Sequence, residues 1–457
     1  MLSSIQEYIQ QHQLFNVGTP VLVACSGGVD SMVLCSILYK LNYKFAIAHC
    51  NFQLRAKDSD GDAMFVEDFA KQNKIQFFST TFDTISFKKD KQISTQMAAR
   101  ELRYQWFEKI RKENHFHKIV TAHHLNDQIE TILLNFTKGT GLQGLTGMQP
   151  KNGYIVRPML NISKQAILQF AQENKIPYRE DASNASDYYQ RNKIRLHVVP
   201  KLEEINPAFE TTMISFIQNM NDYAQLMNEY LQKIKQKCCS IKNDIVEIKT
   251  GFIQTHLAGK TILFHLINEY GFNASTAQQV YQTINQHPKA KTSNSQQFFS
   301  DSHRLIVDRK SIFIVNKNIE RENYLLFDKI PKQIRFNNYT IQCSLVPIHE
   351  VNIKTSSRNA YFDADKLAFP LLIRYAKEAD YFYPFGLSKP NNPNKIGKKK
   401  LSKYFKDEKF SLLEKENTPV LFSGEKMLWL VNHRIDDRFK ISDKTKNVLK
   451  LVVTKVD

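Results

Sequence analysis

The sequence predicts an α/β fold: a doubly wound, mostly parallel sheet in the N-terminal domain, then a helical middle domain and a small α+β C-terminal domain. From Val21 to Asn174, short apolar runs alternate with amphipathic stretches of helical period. That alternation lays parallel strands side by side with helices on both faces of the sheet. The segments between the apolar runs are long enough to be helical crossovers. Most polar clusters fall at or just after the ends of those runs, where such sheets bind ligands.

Val21 to Ala24 is an unbroken apolar run, as expected of a strand covered on both faces. From Val29 to Leu41 the residues Val29, Met32, Val33, Ile37, Leu38 and Leu41 recur at helical spacing. Phe45 to His49 reads as a strand, Asp62 to Asn73 as a helix and Ile75 to Phe82 as a third strand. Ser94 to Glu113 reads as a long helix, Lys118 to Ala122 as a strand and Asn126 to Phe136 as a helix. Tyr154 to Val156 and Ser163 to Asn174 add a fifth strand and its helix. Beyond Pro200 the texture changes: Asn206 to Ser240 is a long helical pattern, and Lys242 to about Lys317 mixes helices with short strands. The boundaries expected are 1–205, a middle domain over 206–320, a β-rich linker over 321–362 and a C-terminal domain over 363–457.

With 457 residues the chain is long enough for two or three cores. Lys and Arg number 63 against 45 Asp and Glu, a formal charge of +18. Such an excess attracts phosphate backbones at long range, although a Lys-rich proteome produces the same excess. The six cysteines (Cys25, Cys35, Cys50, Cys238, Cys239, Cys343) show no metal-ligand spacing and no C-x-x-C, which fits a reduced cytoplasm. Met1 to Leu14 lacks the basic and apolar segments of a signal peptide, and no stretch has the length of a membrane span. Nothing implies a membrane or an obligate protein partner.

The densest chemistry begins at Ser26-Gly27-Gly28-Val29-Asp30-Ser31, between the first strand and its helix. Unpaired N–H groups of a helix start collect anions, and two glycines let a phosphate approach without a Cβ in the way. Ser26 and Ser31 add hydroxyls, and Asp30 is a candidate ligand for the Mg²⁺ that accompanies phosphates. The string resembles the SGGxDS signature of the PP-loop ATP pyrophosphatases, whose fold is adenine nucleotide alpha hydrolase-like and which cleave ATP between its α and β phosphates. No Lys follows the glycines, unlike the GxxxxGK[ST] loop of kinases and GTPases.

Further clusters extend the resemblance. His49-Cys50-Asn51-Phe52-Gln53-Leu54-Arg55 is similar to the H-x-N-x-x-L-R stretch of PP-loop enzymes that modify tRNA, with Phe52 where many relatives carry a second His. Arg100 and Arg103 share a helical face suited to phosphates. In Thr121-Ala122-His123-His124-Leu125-Asn126-Asp127-Gln128-Ile129-Glu130-Thr131, Asp127 and Glu130 lie on one helical face and suit an ammonium group or Mg²⁺. Their spacing with the histidines matches no closed zinc site. This segment resembles the T-A-H-H-x-x-D-Q-x-E-T motif of the tRNA(Ile)-lysidine synthetases. The glycine loop Lys138 to Met148, Arg157-Pro158, Asp181 to Asn184 and Arg191 to Arg195 continue that family's order, with Lys138 where relatives often have Arg. The C-terminal Lys398-Lys399-Lys400-Leu401-Ser402-Lys403-Tyr404-Phe405 resembles its KKL-x-x-x-F stretch, while Glu378-Ala379-Asp380 and Lys415 depart from its usual residues.

The resemblance implies an ATP-dependent ligase that joins free lysine to C2 of the wobble cytidine in the CAU anticodon of tRNA(Ile), through an adenylated cytidine. Ser26, Gly27, Gly28, Val29, Asp30, Ser31, His49 and Arg100 are then expected at ATP, with Mg²⁺ on Asp30. Asp127 and Glu130 are expected to hold the lysine ammonium, with His123 or a carboxylate as proton acceptor. Asp30, His123, Asp127, Glu130 and Arg191 form the expected catalytic set, and Arg191, Arg195, Lys398, Lys399, Lys400 and Lys403 are expected to meet tRNA. Interleaved aromatics beside those lysines suit stacking on bases. Two rival readings are a sulfur-transferring PP-loop enzyme, which typically needs reactive or cluster-binding cysteines, and a non-enzymatic RNA-binding module, which needs no acidic pair beside an ATP loop.

Overall fold

The computed structural model describes all residues except 54–56, 180–189, 287–295, 319–321, 352–355, 357, 387, 390–391 and 456–457. They form two compact units, Met1–Asn228 and Glu229–Asp457.

The first unit opens with helix α1 (Leu2–Gln11), which buries Ile5 and Ile9. Strand and helix then alternate through β1 (Val21–Ala24), α2 (Val29–Lys40), β2 (Phe45–Asn51), α3 (Lys57–Gln72), β3 (Phe77–Thr81), α4 (Thr84–Lys91), α5 (Thr95–Glu113), β4 (Ile119–Val120) and α6 (Leu125–Thr137). The short helix α7 (Leu142–Leu145), β5 (Lys151–Asn152), β6 (Ile155–Val156) and α8 (Lys164–Glu173) complete the sheet layer. The sheet order is β3-β2-β1-β4-β6-β5. All neighbours run parallel except β5, which pairs antiparallel with β6 at the edge. This is the doubly wound sheet expected. Chain order runs outward from β1 to β3 on one side and from β4 to β6 on the other, so the switch point lies between β1 and β4. A crevice opens there beyond the strand ends.

Burial explains the elements. β1 is central, and Val21, Leu22 and Val23 are fully buried. α2 carries apolar residues nearly all round because it is enclosed by the sheet, α1 and α8, with Met32, Val33, Leu34, Ile37 and Leu38 all inaccessible. Three local differences from the sequence expectation have physical causes. α3 starts at Lys57, five residues before the apolar pattern begins. α4 was unexpected: its interior is Lys-rich, and its clearest signal is Asp83, whose side chain accepts from the Ser86 N–H as an N-cap. β4 is only two residues long because Thr121 onward turns toward the crevice.

After α8 the chain enters α9 (Gln190–Lys193), a π-helical turn (Ile194–Val198), α10 (Val199–Ile205) and the long helix α11 (Phe209–Cys238). In the second unit, β7 (Cys239–Lys242), β8 (Ile245–Lys249), β9 (Gln296–Phe299), β10 (His303–Val307) and β11 (Ser311–Asn316) form an antiparallel sheet of order β7-β8-β11-β10-β9. Helices α12 (Gly251–Thr255), α13 (Gly259–Asn268) and α14 (Ala274–Gln286) share its core through Ile253, Leu263, Ile267 and Val280. Polar as it is, the end of α14 stays helical up to Gln286, because Val280 and Ile284 point inward four residues apart.

The expected linker is the main correction. Tyr339–Pro347 pairs antiparallel along its whole length with the C-terminal strand Asn447–Lys455, whose other edge pairs with Asn359–Asp363. Tyr324–Phe327 likewise pairs with Leu371–Tyr375 in a second sheet. The stretch 321–362 therefore supplies strands to both C-terminal sheets, around a core that includes Phe336, Phe362 and Trp429. The β-rich character of this stretch is readable in the sequence, but the partner of Tyr339 to Val346 lies more than a hundred residues away. Among the described residues, no helix is long and apolar enough to cross a membrane.

Candidate active site

Three hydrogen bonds hold carbonyls of the loop after β1, and the Gly28 N–H lies 3.4 Å from Ser26 Oγ. His49 Nδ1 lies 3.0 Å from the Cys25 carbonyl. The Arg179 N–H donates to the Gly27 carbonyl at 3.0 Å. Ser31 Oγ donates to the Gly28 carbonyl at 2.9 Å, while the Ser26 N–H donates to Ser31 Oγ at 3.2 Å. Gly28 is the N-cap of α2, so the first helical turn faces the loop's concave side. Gly27 has φ +88°, and a Cβ there would lie 3.2 Å from Val66 Cγ2. Glycine is thus favoured at this position by its conformation, and a side chain there would also press on Val66.

The second wall comes from the end of β4. Thr121 Oγ1 lies 2.8 Å from His123 Nδ1. His124 caps α6, and its N–H donates to Asp127 Oδ2 at 3.0 Å. Asp127 Oδ1 and both oxygens of Glu130 are engaged by arginines. Arg191 donates from Nη2 to Asp127 Oδ1 at 2.7 Å and from Nε to Glu130 Oε2 at 2.6 Å. Arg195 donates from Nε to Glu130 Oε1 at 2.6 Å and from Nη2 to Oε2 at 3.1 Å. Arg195 sits in the π-helical turn, an irregularity frequent at functional sites.

Asp30, on the first turn of α2, joins the two walls. Lys164 Nζ donates to its Oδ1 at 2.6 Å, and His124 Nε2 is 3.8 Å from its Oδ2. His124 is buried, and its Nδ1 has no hydrogen-bond partner among the described residues. Two cavities meet at this point. One, of about 220 Å³, is lined by Ser26, Asp30, Ser31, Arg103, Tyr104, His123 and Asp127 among others. The other, of about 500 Å³, is lined by Asp30, His124, Asp127, Glu130, Lys164 and Arg195 among others. Asp30 and Asp127 line both.

Burial sets the ionisation of this wall. It pushes the His123 imidazole down to about 4, with Arg157, Arg191 and Arg100 adding to the fall and Asp127 opposing it. Burial alone would raise the Asp127 carboxyl, but the charges of His124, Arg191 and His123 outweigh it and hold the group below its ordinary range. Burial also lowers His49.

The expected residues divide. Ser26, Asp30, Ser31, His123 and Asp127 converge on the smaller cavity. His49 lies behind the loop, 3% exposed and bonded to a loop carbonyl. Arg100 stands over the Tyr104 ring at 5.0 Å and lines a shallow hollow on the outer face of α5, whereas Arg103 lines the cavity itself. Glu130 lines the larger cavity and is paired there with two guanidinium groups, Arg191 and Arg195. Those two arginines, expected to meet tRNA, are paired with Asp127 and Glu130. Among the described residues no cluster of three or more His, Cys, Asp or Glu side chains is placed to hold a metal ion. Asp181 to Asn184, with Leu54 and Arg55, lie outside the described residues.

In the second unit Lys400 and Lys403 are exposed, whereas Lys399 pairs with Asp407 at 2.8 Å. Lys398 Nζ stands 3.5 Å from the centroid of the Tyr381 ring. The aromatics expected to stack on bases divide too: Tyr404, Phe405 and Phe382 are core residues, and Tyr381 and Phe385 are exposed. Lys164 escaped the sequence reading. Its signal is a Lys in the first turn of a helix, where the macrodipole disfavours a cation unless an anion is close.

The PP-loop domain family matches residues 1–202, and the TilS substrate binding domain family matches residues 241–317. A tRNA(Ile)-lysidine synthase of Parabacteroides distasonis is 38% identical over 452 residues, covering 98% of this chain and 99% of its own. The chain belongs to the tRNA(Ile)-lysidine synthase family. Other tRNA(Ile)-lysidine synthases are similar over comparable spans: that of Bacteroides thetaiotaomicron at 35% identity, covering 97% of each chain, and that of Clostridium tetani at 30%, covering 99% of this chain and 98% of its own. Their likeness to the chain runs through both units.

Proposed function

We propose that the protein ligates free lysine to C2 of the wobble cytidine in a tRNA(Ile) with a CAU anticodon, cleaving ATP to AMP and pyrophosphate. One observation carries the reading: a cavity at the PP-loop and a second, more charged cavity share Asp30 and Asp127 as a common wall. A reaction that activates a base with a nucleotide and then delivers an amine needs two such chambers in contact.

The cytosine C2 oxygen is a poor leaving group. It attacks the α-phosphorus of ATP, the Pα–O bond to pyrophosphate breaks, and the base becomes an O-adenylate. The loop N–H groups and the hydroxyl of Ser26 hold the phosphates and meet the charge that develops on them, while Ser31 keeps the loop in shape through the Gly28 carbonyl. The lysine ε-amine then adds to C2 and AMP leaves with the former C2 oxygen. Asp127 draws the ammonium to the wall. His123, uncharged at neutral pH, is the proton acceptor in reach of the smaller cavity. Arg191 and Arg195, fixed by Glu130, orient Asp127 and the incoming groups.

Mg²⁺ fits as an ion held chiefly by ATP phosphates. Asp30 Oδ1 accepts from Lys164, while Oδ2 lies 3.8 Å from His124 Nε2 and is the carboxylate oxygen it would take. Such an ion would neutralise phosphate charge.

Residues 1–205 carry the chemistry in this reading, and residues 206–320 and the sheets built from 324–455 hold tRNA, with Lys400 and Lys403 against phosphates. All six cysteines are free thiols, consistent with a cytoplasmic protein. Sulfur transfer fits poorly. Of the two thiols at the smaller cavity, Cys25 is buried against Ser31, and burial pushes Cys50 up to about 12. The deciding experiment incubates the protein with ATP, labelled lysine and tRNA. Label is expected in the wobble cytidine, and its absence there would overturn the reading.

A further inference from the structure

We infer that Arg179 is a positioning residue for the ATP loop, acting as a latch that holds the Gly27 peptide outward and fastens helix α3 over it. The inference rests on the adenylating role proposed for that loop.

Three contacts converge on this residue. Its N–H donates to the Gly27 carbonyl at 3.0 Å. Its guanidinium Nε meets Asp62 Oδ1, on α3, at 2.5 Å. Gly61 leaves the guanidinium its place, since a Cβ there would lie 3.1 Å from both of its terminal nitrogens. α3 in turn covers Gly27, with Val66 Cγ2 3.2 Å and the Asp62 carbonyl 3.9 Å from where a Cβ would stand. Backbone hydrogen bond, ion pair and packing thus form one closed set between the loop, α3 and the segment that follows α8.

The chemistry of an anion loop makes this set functional. A peptide that points its N–H at a phosphate must point its C=O away, and an unpaired carbonyl invites the peptide to rotate. At Gly27, φ +88° lies in a region where glycine is permissive, so the residue itself does little to hold the orientation. His49 secures the neighbouring Cys25 carbonyl and Ser31 secures that of Gly28. Arg179 supplies the third hold, and its anchor is an ion pair at the surface. The Arg179 and Asp62 side chains are 42% and 29% exposed, so the pair adds little to global stability. Its effect is local, on how well the loop is ordered for phosphate.

The test measures ATP affinity by equilibrium titration, with lysine affinity and thermal stability alongside, in Arg179→Ala, Asp62→Ala, the double variant and the charge exchange Arg179→Asp with Asp62→Arg. Each single variant is expected to bind ATP about threefold to fivefold more weakly, with lysine affinity and stability unchanged. The double variant is expected to be no worse than either single, because both remove one interaction. The exchange is expected to recover part of the loss. Wild-type ATP affinity in both singles, or additive losses in the double, would overturn the latch. So would equal loss of ATP and lysine binding with lowered stability in every variant, which marks a merely structural role. Failure of the wild-type protein to bind ATP would instead overturn the adenylating role itself.

Discussion

Glu130 and Arg195 meet through two hydrogen bonds, Nε to Oε1 at 2.6 Å and Nη2 to Oε2 at 3.1 Å, and the carboxylate is 2% exposed. With Arg191 on Oε2 as well, a buried anion is the hub that fixes two cations. Breaking such a hub strands charges that folding has placed together. Glu130→Gln keeps the shape but removes the charge. It is expected to lower the unfolding free energy by about 1.5–3 kcal/mol, the worth of hydrogen bonds to charged groups. Urea denaturation checks this, and an unchanged midpoint would show that the arginines find other partners at no cost.

Lys164 neutralises Asp30 where a triphosphate would add further negative charge. Lys164→Ala leaves a carboxylate unpaired beside the phosphates. The KM for ATP is expected to rise about tenfold, the equivalent of one charge-assisted hydrogen bond, with Lys164→Arg recovering part of it. Steady-state kinetics at saturating lysine and tRNA decide the point.

Gly27→Ala places a methyl group 3.2 Å from Val66 Cγ2 at φ +88°. The left-handed conformation alone costs about 1–2 kcal/mol with a side chain present. ATP binding is expected to fall at least as far as in any Arg179 variant, which calorimetric titration would reveal.

Burial holds His123 near 4, against 6.5 for an unperturbed imidazole. Between those values the unfolded chain binds more protons than the folded one, so stability rises with pH across that window. The contribution is complete above about 6.5 and is lost as pH falls toward 4. NMR titration of the His123 ring protons is expected to show a midpoint near 4. A midpoint near 6.5 would mean that the imidazole is solvated and charged in mildly acidic solution.

Lys400 and Lys403 are exposed, while Lys399 is tied to Asp407. Replacing the first two by alanine is expected to weaken tRNA binding and to flatten its salt dependence, by about 0.7–0.9 in log–log slope for each phosphate that is no longer neutralised. Lys399→Ala is expected to change that slope less. Filter binding across a salt series separates the two.

The N-terminal sheet was legible because its strands and helices each carry their own periodicity. The runs at Val21, Phe45 and Phe77 and the helical faces of α2, α5, α6 and α8 needed no distant partner to be read. What escaped depends on pairing across the chain. Lys164 and Asp30 are 134 residues apart, and Arg191 and Glu130 are 61 apart. Charge types were visible in both cases, but which charge answers which was not. The C-terminal sheets show the same limit. Because Tyr339–Pro347 pairs with Asn447–Lys455, a deletion beginning at Asp363 would strip a strand of its partner. Any shortened form that keeps the sheets whole must treat 324–455 as one piece.

The partition made by Asp30 and Asp127 has a thermodynamic consequence. Two ligands of opposite sign that share one carboxylate wall cannot bind independently. A polyanion arriving on one face makes the wall more attractive to an ammonium on the other, and the ammonium returns the favour by the same factor. In the proposed reaction ATP and lysine are therefore expected to be heterotropic partners, each tightening the other's binding, with a linkage that fades as salt screens the wall.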